Sequence, residues 1–188
     1  MPIHSHLFLT EPAWRTSRPG CRRLIPASAQ SWIYEPDSLT QRLRDYYGDA
    51  VSVAVLFQQR SRPFFSERRL LKLDNARHSL VREVLLYAED RPLILARTVI
   101  PEKTLKGAQR NLARLGNRPL GEVIFSHPRL ERLEMDITRV QPHNGSQRVR
   151  ESYHLEQPLW GRRTVYALQH RQLLVSEFFL PEVLAAHC

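Results

Sequence analysis

LVREVLLYAEDRPLILARTVIP, residues 80–101, reads as two strands folded back on each other. The apolar halves flank a turn at Glu89–Pro92, where Asp90 and Pro92 supply the turn chemistry. A hairpin of two such apolar strands needs neighbours on both sides. The question for the rest of the chain is therefore where the other strands lie.

Upstream, VSVAVLF (51–57) is β-branched and apolar, and is expected as a buried strand. Before it, DSLTQRLRDYY (37–47) has helical spacing, with Leu39, Leu43 and Tyr46 or Tyr47 on one face. Asp37 or Ser38 can cap that helix and Gly48 can end it. LLKLDNARHS (70–79) is mixed and reads as loop. Downstream, Thr104 can cap a second helix through Leu115, with Leu105, Ala108, Leu112 and Leu115 at three- and four-residue intervals and Gly116 as its stop. Asn117-Arg118-Pro119 is a sharp connector, and Pro119 opens a short helical piece, PLGEVIF. Two more strands are expected at 130–138 and 162–169. Between them lies a polar excursion, 141–158, whose Asn144-Gly145 marks a hairpin arm or a long detour. LLVSEFFL (173–180) is the last strand, joined to its predecessor across Gln169–Gln172 and stopped by Pro181. Strands dominate, short turns join them and helices are few, which predicts an α+β fold: an antiparallel sheet with helices on one side.

Residues 1–26, rich in proline, arginine and serine, read as an extended lead-in wrapping the rest. A chain of 188 residues fits a single domain, 1–188. It has no apolar run of the ~18–20 residues that a membrane span needs. The N-terminus lacks the pattern of an export signal, so the expected location is the cytoplasm. Cys21 and Cys188 form no CxxC pair and are expected as reduced thiols, and the eight histidines show no metal-ligand spacing. Lys and Arg outnumber Asp and Glu by 28 to 19, a net charge of +9. Such a field attracts anions, whether nucleic acid, an anionic membrane surface or a small polyanionic metabolite. No nucleic-acid motif accompanies it.

Strand alternation places Arg82 on one face with Leu80, Val84 and Leu86, and Glu177 on one face with Leu173, Val175 and Phe179. A charge among aliphatics is costly unless it is partnered. Two readings stand: a buried ion pair, or a cavity in which the arginine grips a carboxylate and the acid performs proton chemistry. Arg97 and Glu83 read as partnered charges near a sheet edge. Trp160-Gly161-Arg162-Arg163 reads as a turn leading into a solvated basic strand, or as an anion site. There is no GxGxxG, P-loop or GxSxG motif.

DSLTQR (37–42), VSV (51–53), LVREVLL (80–86), ARTVIP (96–101), LGNRPLGEVIF (115–125), LWGRR (159–163) and SEFFLP (176–181) resemble, in order and spacing, the bacterial chorismate pyruvate-lyases that open ubiquinone synthesis. The resemblance implies an antiparallel sheet of about six strands with helical flaps over a buried pocket. It implies that Arg82 binds the ring carboxylate of chorismate and that Glu177 sits by the oxygen-bearing side of the ring. Backbone groups at Leu39 and Leu120 would touch the ligand, and Arg97 or Arg162 would meet the second carboxylate. The products would be 4-hydroxybenzoate and pyruvate. Aromatisation would drive the elimination without metal or redox cofactor, and product release would be slow. The expected protein is a monomer without nucleic-acid partners, open to peripheral contact with a membrane prenyltransferase. The excursion and the lead-in up to about residue 24 depart from the family pattern. The alternative is a non-catalytic sensor of the same fold. Such domains follow a winged-helix segment in transcription regulators, and residues 1–36 are too short and proline-rich to supply one.

Overall fold

The computed structural model describes residues 5–74, 78–106, 112, 115–153 and 155–185. The hairpin of residues 80–101 stands near one end of the sheet: β3 (Ser79–Ala88) pairs antiparallel with β4 (Arg91–Pro101). In the turn, Glu89 adopts a positive φ of 54°. On one side of the hairpin lies β2 (Val51–Ser61). On the other, β7 (Arg171–Phe179) pairs with β4, β6 (Leu159–Leu168) with β7, and β5 (Leu130–Val140) with β6. A two-residue strand, β1 (Arg15–Thr16), lies against β5. The sheet thus has seven antiparallel strands in the order β1-β5-β6-β7-β4-β3-β2. The strand beyond the expected six comes from the lead-in.

Several expectations need correction. The strand beginning at Val51 is not buried throughout: β2 is the sheet edge, runs on to Ser61, and shifts register between Val55 and Phe57. Its exposed Gln58-Gln59-Arg60 run suits an edge, where charge and polarity discourage pairing with another chain. Trp160-Gly161-Arg162-Arg163 is neither turn nor solvated; it lies within β6, with both arginines buried. A Cβ at Gly161 would stand 2.7 Å from Phe178 Cδ1 and 2.9 Å from the Glu177 carbonyl, so close strand packing explains that glycine. Helices, finally, cover both faces of the sheet rather than one.

On the first face, α1 (Ala27–Ile33), α2 (Leu39–Tyr47), α4 (Glu102–Leu105), α5 (Leu120–Phe125) and α7 (Pro181–Ala185) bring Trp32, Ile33, Leu43, Leu105, Ile124 and Val183 into contact with sheet side chains. Ser38 caps α2 by accepting from the Gln41 N–H, and Gly48, at φ 60°, ends it, as expected. Of the helix expected over 104–115, the described part is one turn, α4, which starts earlier, at Glu102, and ends at Leu105; most of the remainder lies outside the described residues, and Leu112 and Leu115, which are described, are buried. On the second face lie α3 (Phe65–Leu70), whose end occupies the start of the expected 70–79 loop, and α6 (Gln147–Ser152). The lead-in crosses this face and joins the excursion: Ser146 N–H donates to the Leu7 carbonyl at 2.8 Å, and Leu9 N–H to the Asn144 carbonyl at 2.8 Å. Asn144-Gly145 is therefore not a hairpin tip. It closes a short 3-10 turn ahead of α6.

Candidate active site

Register determines what faces the first layer. Cross-strand partners define one transverse row, Gln58–Arg82–Thr98–Val175–Thr164, over β2, β3, β4, β7 and β6. The next row along is Val84–Ala96–Glu177–Arg162. The one after that is Val53–Leu86–Ile94–Phe179. Most of these residues form the floor of a partly open cavity, whose roof is Ser38-Leu39-Thr40 at the start of α2 and Pro119-Leu120-Gly121 at the start of α5. The cavity is narrow: it has about 50 Å³ of room for water-sized molecules, and about 600 Å³ of atom-free space once the open solvent at its mouth is included. Arg82, Glu177, Leu39 and Leu120, the four residues picked from the sequence, all line it.

Arg82 and Glu177 do not pair with each other. They lie two strands and one row apart, about 12 Å between Cα atoms from strand spacing and rise. Glu177 instead accepts from Arg162 Nε at 2.7 Å. Arg162 also donates from Nη1 to the carbonyls of Ile33 and Glu35, at 3.1 and 2.7 Å, and so ties the sheet to the end of α1. Burial alone lowers the Arg162 pKa, but Glu177, with Tyr166 and Glu35 behind it, outweighs burial and raises it.

Arg82 donates from Nη1 to Gln58 Oε1 at 2.6 Å and from Nη2 to the Gly116 carbonyl at 2.8 Å and the Arg118 carbonyl at 3.4 Å. These are neutral acceptors, and among the described residues no carboxylate pairs with this guanidinium. Burial lowers its pKa from the usual arginine value. Arg82 is 2% exposed, Arg97 1% and Arg162 0%, yet the latter two hold carboxylates. A buried guanidinium on neutral partners at a cavity wall has unspent capacity for an anion, and a planar carboxylate matches its fork.

Arg97 is placed differently from the expectation that it meets a second carboxylate. It points to the opposite face, where it donates to Glu67 Oε1 at 2.7 Å, Glu67 Oε2 at 2.9 Å and Glu83 Oε1 at 2.6 Å. Both Arg97 and Glu83 are partnered, as expected, and Glu83 lies next to the edge strand β2, with Arg97 one strand further in. Two cavity-side residues go unremarked in the sequence: Gln58, one residue past the strand expected over 51–57, and Tyr166, within the strand expected over 162–169. Counting alternate residues back from Tyr166 to Arg162 places both on the cavity face, a signal present in the chain. Among the described residues, no group of three or more His, Cys, Asp or Glu is arranged to hold a metal ion, and no helix is long and apolar enough to cross a membrane.

A family model described as chorismate lyase matches residues 9–187. A probable chorismate pyruvate-lyase of Methylococcus capsulatus is 46% identical over 156 residues, covering 83% of this chain and 96% of that protein. Its counterpart from an Azoarcus species is 39% identical, with 90% of each chain covered. Among solved structures, PhnF from Mycobacterium smegmatis superposes with a TM-score of 0.57 at 13% identity, over 79% of this chain and 66% of that one. The separate effector domain of PhnF gives 0.56 at 14% identity, over 78% and 90%. At such identity these two show a shared fold alone. The match along nearly the whole chain and the identity to the curated relatives show that this chain belongs to the chorismate lyase family.

Proposed function

We propose that the protein converts chorismate to 4-hydroxybenzoate and pyruvate, the first step of ubiquinone biosynthesis. The observation that carries this reading is Arg82, a deeply buried guanidinium with neutral partners, on the wall of a cavity that also holds Glu177. Arg82 binds the ring carboxylate and so fixes the ring over Thr98 and Val175. Leu39 and Leu120, at the starts of the two roof helices, close over it. The reaction breaks the C–H bond at the hydroxyl-bearing carbon and the neighbouring C–O bond. The C–H electron pair completes the aromatic ring, and the C–O pair leaves on the enolpyruvyl oxygen, which collects a proton and tautomerises to pyruvate. Glu177, on the side of the ring bearing these bonds, handles a proton in this exchange. Arg162 holds its carboxylate in place. No step calls for a metal or redox cofactor.

The chain works as one unit, 1–188, as a cytoplasmic monomer, and passes its product onward through peripheral contact with a membrane prenyltransferase. The test is to incubate purified protein with chorismate and follow both products, alongside Arg82→Ala and Glu177→Gln. Stoichiometric 4-hydroxybenzoate and pyruvate are expected from the wild type, with large losses in both variants. No turnover in the wild type sinks the enzyme reading. Near-full activity of Glu177→Gln sinks only the role of that acid.

A further inference from the structure

The row through Arg82 runs across the sheet to Thr164 of β6, with Met135 of β5 beyond it, and two polar side chains flank the Thr164 position. Glu177 lies one row to one side. Tyr166 lies one row to the other, opposite Leu173 on β7 and Arg132 on β5. Tyr166 also lines the cavity and is 1% exposed. Its ring packs edge-on against Phe125 of α5, with centroids 5.7 Å apart, and the Arg132 guanidinium lies 5.5 Å from its centroid. Burial, then the charge of Glu177, raises the phenol's pKa against smaller opposing effects of Arg162, Arg132 and Thr164. The group is therefore a neutral O–H donor at any ordinary pH, and its polar end lies among these residues.

The proposed substrate carries adjacent oxygen substituents at the end of the ring away from its carboxylate. One is a hydroxyl and the other an enolpyruvyl ether with a second carboxylate. With the ring carboxylate on Arg82, that end points toward Thr164, between Glu177 and Tyr166. A second carboxylate is repelled from the Glu177 flank and drawn to the flank where Arg132 stands behind a phenol donor. Building on the proposed function, we infer that Tyr166 is a substrate-binding residue that donates its O–H to the enolpyruvyl carboxylate. It thereby sets which face of the ring meets Glu177.

The product lacks the enolpyruvyl group, so the test separates substrate from product. Tyr166→Phe keeps the ring contacts with Phe125 and Arg132 and removes only the donor. Expected is a fall in kcat/KM for chorismate of roughly tenfold or more, as for loss of a hydrogen bond to a charged group. The 4-hydroxybenzoate inhibition constant should stay within about twofold, and thermal stability should hold. Unchanged kcat/KM overturns the inference, and so does a parallel weakening of product binding, which marks a structural role. Either result leaves the lyase reading standing, since that depends on wild-type turnover alone.

Discussion

Replacing Arg97 by leucine tests whether the second face of the sheet is held by charge. Arg97 gives Glu67 and Glu83 three charge-assisted hydrogen bonds of 2.6 to 2.9 Å, and its guanidinium lies 4.4 Å from the Phe64 ring centroid. The two carboxylates are not equally dependent on it. Glu83 keeps the Ser5 hydroxyl at 2.6 Å and the N–H groups of His6 and Leu7 at 2.6 and 3.1 Å. Glu67 keeps the Phe64 N–H at 2.8 Å. Removing one partner from a buried ionic cluster strands the other, at a cost of about 3–5 kcal/mol. At the usual entropy of unfolding for a chain of this size, that lowers Tm by roughly 6–20 °C. Urea unfolding monitored by tryptophan fluorescence gives the loss directly. The double variant Arg97→Leu, Glu67→Leu is expected to be at least as stable as Arg97→Leu alone, although it deletes more hydrogen bonds. A loss below about 1 kcal/mol in the single variant, or additive losses in the double, refutes the reasoning.

Gly161→Ala pushes a methyl into Phe178 Cδ1, the Glu177 carbonyl and Thr138 Cγ2, at 2.7, 2.9 and 3.1 Å. Overpacking of this kind costs about 1–3 kcal/mol, read by denaturant titration, and shifts the strand that carries Glu177, so activity should fall with stability. Arg162→Met removes the Nε donor from Glu177 and the tie to the Ile33 and Glu35 carbonyls. Expected are a kcat loss exceeding tenfold and a folded, less stable protein; wild-type kcat would refute the orienting role. Gly121→Ala places a methyl 2.8 Å from Ser38 Oγ and 3.3 Å from Thr40 Oγ1, where the two roof helices meet. Ser38 caps α2 and has little freedom to yield, so the roof opens, 4-hydroxybenzoate binds several-fold more weakly in calorimetry, and unchanged or tighter binding counts against this wedge.

Much of the site was legible because strand parity is a strong constraint. Alternation placed Arg82 with Val84 and Leu86, and Glu177 with Val175, and all five line the cavity. What alternation cannot supply is the partner across the sheet. A pair between Arg82 and Glu177 is one of two readings that alternation allows, since both face inward with opposite sign, but registers put Arg162 opposite Glu177 and Gln58 opposite Arg82. The second layer was hidden for a different reason. The lead-in and the 141–158 excursion have little apolar periodicity, and they stay in place through contacts with each other and with Glu83 and the apolar face beneath them. Contacts spanning more than a hundred residues leave no local signature.

Arg82 and Glu83 are neighbours in the chain, and that adjacency couples fold to function. Parity sends Arg82 into the cavity and Glu83 to the opposite face, where Arg97, Ser5 and the backbone of His6 and Leu7 saturate it. On that face, charges are matched within the chain. On the cavity face, Arg82 has only neutral acceptors among the described residues, which leaves its charge available for the carboxylate of the proposed substrate. A one-residue slip of β3 would exchange the two, burying a carboxylate in the cavity and an arginine against Arg97. The cluster around Glu83 penalises that slip heavily, because it places like charges together out of water. The network that contributes nothing to the cavity's lining therefore enforces the register that puts Arg82 on the cavity wall, where the proposed function needs it.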